Sequence, residues 1–439
     1  MQFDQTIFAL SSGHLPSGVA VIRVSGPHCR FVTETIIGAL PTSRQAQYGV
    51  LKDTSGGIID HGLTLFFPAP ASFTGEDVTE FHVHGGRAVV AAVLQCLSSL
   101  PGCRHAEAGE FSRRSFLNGK MDLLGVEAVA DLIAAETEAE RRLAVQNSSG
   151  IQAELYAAWR RRLIHARAMI EAEMDFSDEG DIPGSVSDMV WRDIETLVVE
   201  IYDHIAGFRR TEIIRDGFDV VIVGAPNAGK SSLLNALLER DAAIVADEPG
   251  TTRDLVETVL DIDGIKVRLT DTAGLRDGAG KVESIGIDRA RRRAEHADLV
   301  LYLRDVADFS DLLPYSGEGV LRIGSKVDLS ETQPSTIMYD CLVSSVSGEG
   351  LETLRSLISS RASASLGNRS DILPSRLRHV ELLQQALKAL QTAASDETKP
   401  LELRAEDLRQ ASHVIGRVSG EVDVEDLLDV IFSQFCVGK

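Results

Sequence analysis

GAPNAGKSS, residues 224–232, decides how this chain folds. The stretch matches G-x-x-x-x-G-K-[ST] and lies between an apolar run, FDVVIVG (218–224), and a helical run, SSLLNALLE (231–239). That strand–loop–helix setting is the one in which the pattern cradles phosphate. Its glycines let backbone N–H groups close on phosphate oxygens, and the helix start adds partial positive charge. Lys230 is placed to reach the β- and γ-phosphates and Ser231 to ligate Mg²⁺, with Asn227, Ala228, Gly229 and Ser232 completing the loop.

A second motif selects the base. Ser325-Lys326-Val327-Asp328 has the form of a guanine-reading NKxD element with serine in place of the usual asparagine. The Asp328 carboxylate accepts hydrogen bonds from the guanine N1–H and amino group; adenine lacks those donors and would leave the charge unpaired. Ser344-Ser345 fits a last, degenerate guanine motif and fits a strand end equally well. Gly250-Thr251-Thr252-Arg253-Asp254 falls where a first switch would present a threonine hydroxyl to Mg²⁺. DTAGLRD (271–277) follows, a γ-phosphate-sensing loop containing Asp271 and Gly274, yet Leu275 occupies the place of the glutamine that orients water in Ras-type enzymes. An aliphatic side chain cannot do that work, so another group is needed. Asn227 can ligate a monovalent cation that neutralises charge developing during phosphoryl transfer. Glu283, in GKVESIGI, can polarise the water or simply complement a helix start.

The alternating strands and helices continue outward as VETVLDI, KVRLTD, ADLVLYL, LRIG and CLVSS, an α/β unit assigned to residues 214–370. Residues 1–118 read as an α+β module, with GVAVIRVSG, GLTLFF and TEFHVHGG as short strands. Helical spacing occupies 119–213 (Leu123, Val126, Val129, Ile133; Val190, Ile194, Leu197, Ile201, Ile205) and returns over 371–439 (Leu377, Val380, Leu383, Leu387, Leu390). The acidic EAEMDFSDEGDIPG (171–184) reads as a loop. The expected fold is therefore multidomain, α+β and α/β, with the α/β unit inserted into a discontinuous helical domain.

The 439 residues are 44% hydrophobic and 25% charged, ordinary for a globular chain. The absence of a long apolar run or a basic, cleavable N-terminal segment predicts a cytoplasmic protein without a membrane span. Five scattered cysteines argue against a disulfide framework or a structural zinc site. The formal charge of −21 opposes phosphate binding, but it is uneven: residues 1–118 hold eight Lys and Arg against nine Asp and Glu. Arg160-Arg161-Arg162 and Arg289 with Arg291-Arg292-Arg293 read as solvated helix faces or as phosphate contacts. His82 and His84 share a strand face without a signalled third metal ligand, and packed histidines are the simpler reading.

Taken together, GVAVIRVSGP (18–27), TGEDVTEFHVHGG (74–86), AGEFSRRSFLNGKMDL (108–123), EAEMDFSDEGDIP (171–183), the nucleotide motifs and the terminal LLDVIFSQFCVGK resemble the MnmE/TrmE family of bacterial tRNA-modifying GTPases over essentially the full length. The resemblance implies a tetrahydrofolate-binding-like N-terminal domain, a helical domain closed by a C-terminal CxGK motif, and an inserted Ras-like P-loop G domain. It implies a homodimer that works with the flavoprotein MnmG (GidA) on tRNA. The product would be a carboxymethylaminomethyl- or aminomethyl-type group on C5 of the wobble uridine, drawn from 5-formyl- or 5,10-methylene-tetrahydrofolate. GTP hydrolysis would drive the cycle through K⁺-dependent pairing of the two G domains.

By the same resemblance K⁺ ligands fall on Asn227, Ala246, Glu248 and Thr251, Mg²⁺ ligands on Ser231 and Thr252, and the water-orienting acid on Glu283. Folate contacts fall on Arg23, Glu80, Lys120 and Lys439. Cys436 is open to two readings, a thiol nucleophile near the folate or a buried structural cysteine. Two other functions stand beside this one: a GTP-switched, RNA-binding ribosome-assembly factor, or a self-sufficient one-carbon transferase with a regulatory GTPase. Assembly GTPases resembling Era or Der would add a basic KH module or a second G domain, whereas the segment after 370 is helical and acidic.

Overall fold

In SGVAVIRVS (β2, Ser17–Ser25), Ala20, Ile22 and Val24 are fully buried while Val21 and Arg23 between them are partly exposed. This is the period of two that a strand with unlike faces imposes. β2 is central in a six-stranded sheet with β1 (Thr6–Leu10), β3 (Gln47–Lys52), β4 (Ile58–Phe67), β5 (Val78–Gly85) and β6 (Cys103–His105), ordered β3-β4-β5-β2-β1-β6. Neighbours are antiparallel except β1 and β6. Helices α1 (Cys29–Ile37) and α2 (Arg87–Ser99) contribute Val32, Ile36, Val93 and Leu97 to a core with Phe8, Ile22, Val24 and Phe81. A smaller cluster of Ile7, Ala9, Ala106 and Phe111, joined by Phe73, brings α3 (Glu110–Leu117) onto the opposite face.

The computed structural model describes residues 3–175, 186–240, 257–271, 292–308, 317, 319–330, 338–368, 370–395, 398–422, 428, 431–433, 435 and 437–438. They form two compact units, one of residues 1–130, 148–195 and 385–439 and another of 131–147 and 196–384.

Beyond the sheet, the first unit contains most of α4 (Leu123–Ala134), α6 (Ile151–Asp175), the first part of α7 (Val186–Ala206), much of α11 (Leu377–Ser395) and α12 (Leu401–Ser419). α6 packs on α12, burying Tyr156, Trp159, Leu163 and Ile170 on one side and Leu408, Ala411, Ile415 and Val418 on the other. The Arg404 guanidinium stacks 3.4 Å from the Trp191 ring centroid and donates to the Ala393 carbonyl at 2.7 Å. One expectation is corrected here. EAEMD (171–175), read as the start of a loop, is the last stretch of α6. Glu, Ala and Met are strong helix formers, and the first breakers of the acidic run lie beyond Asp175. Residues 176–185 are outside the described residues.

In the second unit, β7 (Phe218–Gly224) is buried from Phe218 to Val223, the continuous apolar pattern of a parallel strand covered on both faces. With β8 (Glu257–Ile262), β9 (Ile265–Asp271), β10 (Leu299–Asp305), β11 (Val320–Ser325) and β12 (Cys341–Val343) it forms a sheet ordered β12-β11-β10-β7-β9-β8. Neighbours are parallel except the β8–β9 hairpin. Asp263 and Gly264 turn that hairpin with φ of 53° and 81°, the left-handed pair a two-residue turn requires. Around the sheet lie α5 (Glu138–Ser148), α8 (Phe208–Asp216), α9 (Lys230–Leu238) and α10 (Leu351–Leu366). α5 caps the hairpin: the Ala139 amide donates to Gly264 O at 2.9 Å, and Lys266 bridges Glu136 and Glu140. The longer segment of this unit, 196–384, is preceded and followed in the chain by segments of the first unit. No helix among the described residues is long and apolar enough to cross a membrane.

Candidate functional site

The phosphate loop leaves β7 at Gly224, where a Cβ would lie 2.2 Å from the Leu303 carbonyl oxygen; only glycine fits beside β10. Asn227 adopts a left-handed backbone (φ 63°) with an exposed side chain, a conformation asparagine tolerates better than most residues. Gly229 (φ 93°) sets the N-cap of α9. The buried Lys230 folds its ammonium back over the loop, donating to Gly224 O at 3.1 Å and Ala225 O at 2.9 Å. Ser231, in the first turn of α9, donates to Asp271 Oδ2 at 2.6 Å. Asp271 ends β9 and is 5% exposed. An ammonium, loop amides, a hydroxyl and a carboxylate thus converge at a helix N-terminus, and hydroxyl with carboxylate is a donor set suited to a hard divalent cation.

The base-reading turn begins where β11 ends. Lys326 takes a left-handed backbone (φ 61°) and starts a short 3₁₀ turn, Val327–Leu329, which carries the exposed Asp328. Lys326 Nζ donates to Asp305 at 2.9 Å. Partial burial would raise the Asp305 carboxyl, but the hydrogen bonds from Lys326 and the Ala307 amide, with the ammonium charge, hold it below the ordinary value. Ser325 is buried, and its hydroxyl faces the Ala228 and Arg304 carbonyls. Ser344 is committed to a turn, its hydroxyl accepting from the Val346 and Ser347 amides.

In the first unit, Arg23 on β2 lies opposite Glu80 on β5, and Nε and Nη2 both donate to Glu80 Oε1, at 3.0 and 2.9 Å. The guanidinium lies 4.9 Å from the Phe73 ring centroid and 5.8 Å from that of Phe111. Two residues along, Ser25 bonds to Thr74 and Glu76, which tethers the loop whose Gly75 packs against the aliphatic stem of Lys120. Val437 bridges Ala108, and Gly438 O accepts the Ser11 hydroxyl at 2.8 Å, so the C-terminal signature reaches the end of β1.

His82 Nε2 stands 3.5 Å from Glu80 Oε2, whereas His84 pairs with Asp60. Among the described residues no group of three or more candidate metal ligands occurs. Arg160, Arg161 and Arg162 each pair with an acid (Glu421, Glu154, Asp193), which favours the solvated-face reading. Ala246, Glu248, Thr251, Thr252, Gly274, Leu275, Glu283, Cys436 and Lys439 are outside the described residues. Sequence reasoning assigned no role to Arg114, which is 1% exposed and bonds to Glu76 and Glu110, holding the Gly75 loop against α3. The i,i+4 spacing of Glu110 and Arg114 was the available signal.

Comparison with known proteins places the chain. The family model described as MnmE helical domain matches residues 123–436, and that described as GTP-binding protein TrmE N-terminus matches 6–120. A protein of Mesorhizobium japonicum named tRNA modification GTPase MnmE is 59% identical over 438 residues, covering 99% of each chain. Its namesake from Chelativorans sp. is 59% identical over 435 residues, covering 99% of this chain and 98% of that one. Among solved structures, the G domain of the T. maritima FeoB iron transporter is 28% identical over 33% of this chain and 98% of its own, with a TM-score of 0.24. The chain belongs to the MnmE (TrmE) family, the relatives just described being named tRNA modification GTPases.

Proposed function

We propose that this chain is a GTPase acting in tRNA modification, a reading that rests on family membership and on the convergence of Lys230, Ser231 and Asp271 at the start of α9. The G domain comprises 214–370, between helical segments 119–213 and 371–439, and the N-terminal module 1–118. The loop amides and Lys230 seat the β- and γ-phosphates, and Asp328 reads the base. Ser231 and Asp271 offer the described oxygens near which Mg²⁺ fits, with Thr252 as a further ligand; the ion supplies compensation of phosphate charge. K⁺ would be held by Asn227, Ala246, Glu248 and Thr251, and would supply positive charge that compensates the charge developing on the phosphates. Glu283 orients the attacking water in place of Leu275.

In the N-terminal module Arg23 and Glu80, with Lys120 and Lys439, take up a 5-formyl- or 5,10-methylene-tetrahydrofolate. A carboxylate suits the amide-like edge of a pterin, and cations suit the glutamate tail. As a homodimer with MnmG, the protein modifies C5 of the wobble uridine of tRNA in the cytoplasm. Mass spectrometry of tRNA nucleosides from cells lacking the protein tests this reading. Loss of a C5-substituted wobble uridine supports it; an unchanged nucleoside profile with a ribosome-assembly defect supports the assembly-factor reading instead.

A further inference from the structure

Along β5, Phe81 and Val83 enter the core, so Glu80 and His82, alternating with them, lie on the other face of the sheet. Across the strands His82 pairs with Val21 on β2 and Leu63 on β4, whose side chains carry no hydrogen-bonding group. The imidazole is 29% exposed, yet its Nε2 is shut off from solvent and has no hydrogen-bond partner among the described residues. Glu80 Oε2 lies 3.5 Å from it, past the range of a good hydrogen bond. A buried nitrogen left in this way is costly to keep.

Glu80 is itself only half used. Oε1 takes both Arg23 bonds, and no hydrogen bond reaches Oε2 among the described residues. Oε2 and His82 Nε2 therefore stand side by side without partners of their own, and the carboxylate favours the tautomer that carries its proton on Nε2. The pyrimidine edge of a tetrahydrofolate offers the matching row: a 2-amino donor, the N3–H donor and, next to it, the 4-oxo acceptor.

We propose that His82 is a specificity-determining residue of the folate site: Glu80 accepts from the 2-amino group and N3–H of the pterin, and His82 Nε2–H donates to the 4-oxo oxygen beside them. The proposal rests on the folate-binding reading and adds a residue to it. A 2,4-diamino pteridine such as aminopterin presents a donor at C4, which gives that N–H nothing to meet. A neutral hydrogen bond contributes about fivefold to an equilibrium, so His82→Ala weakens 5-formyl-tetrahydrofolate by at least about that factor and leaves aminopterin within about twofold. His82→Gln, whose amide restores an N–H donor, returns 5-formyl-tetrahydrofolate binding toward wild type. A ring that only propped Glu80 would weaken both ligands alike when removed.

The test is equilibrium dialysis of 5-formyl-tetrahydrofolate and of aminopterin against the full-length protein, for wild type and both variants, with melting curves to confirm folding. Loss of 5-formyl-tetrahydrofolate affinity in His82→Ala alone, regained in His82→Gln, supports the proposal. Equal weakening of the two ligands, unchanged 5-formyl-tetrahydrofolate binding in His82→Ala, or no recovery in a folded His82→Gln overturns it. A wild-type protein that fails to bind 5-formyl-tetrahydrofolate overturns the folate-binding reading itself, and the proposal with it.

Discussion

Ser231 gives its hydroxyl proton to Asp271 across 2.6 Å, joining the first turn of α9 to the last residue of β9. One oxygen belongs to the phosphate loop and the other opens the DTAG loop. Ser231→Ala removes the neutral donor of that pair. Mg²⁺-dependent GTP affinity is expected to fall by at least about tenfold, the scale of losing a hydrogen bond to a charged group, while affinity in EDTA stays within about twofold. Titration calorimetry with and without Mg²⁺ makes the comparison; equal losses in both conditions would assign Ser231 a purely structural role.

Asp328 tests base selection separately. It is exposed on its 3₁₀ turn, so replacing it need not disturb the core. Asp328→Asn is expected to lower GTP affinity by about 10²-fold or more and to raise that for XTP, whose 2-carbonyl accepts what the new amide donates. Competition binding with GTP, ITP and XTP measures it, and an unchanged GTP preference would move base reading elsewhere.

The Arg23–Glu80 pair should couple folate binding to local stability. Both side chains are about one-fifth exposed, 20% and 19%, so a partner left alone is penalised. Glu80→Gln is expected to lower 5-formyl-tetrahydrofolate affinity at least tenfold while destabilising the fold by only about 1–2 kcal/mol. Equilibrium dialysis and urea melts separate the two effects; full folate affinity in this variant would remove Glu80 from the site.

His204 predicts a pH dependence. Burial, and secondarily the neighbouring His379, push its imidazole down from 6.5 to about 4, against the opposing effect of a backbone contact with Ile372. Between those values the unfolded chain binds a proton that the folded chain refuses, so stability is complete above about pH 7 and declines as pH falls from 6.5 toward 4. The loss between pH 7.5 and 5 is about 2 kcal/mol. Thermal unfolding across this range should show it, and His204→Gln should flatten the slope; an identical slope in the variant would assign it to other groups.

Motif spacing made the phosphate loop, the guanine turn and the alternation of strands and helices in the second unit legible, because Gly224, Lys230 and Asp328 are demanded by local geometry and chemistry. Long-range pairing left no such mark. Nothing adjacent in sequence announces that Ser325 reaches Ala228, 97 positions earlier, or that Gly438 meets Ser11 across 427. The helix through Asp175 was misread because acidity was taken for irregularity, although Glu and Ala propagate a helix well. The proposal of Arg23 and Glu80 as folate contacts comes from resemblance alone, since a cross-strand ion pair has no sequence signature of its own.

The central claim is that a monovalent cation at Asn227 does part of the work that Leu275 cannot. GTP turnover by the full-length protein, measured in KCl and in NaCl at equal ionic strength and saturating Mg²⁺, tests it most directly. The account predicts a rate at least about tenfold higher in KCl, abolished by Asn227→Ala, since one compensating group in a phosphoryl-transfer site contributes several kcal/mol. Equal rates in the two salts would contradict it.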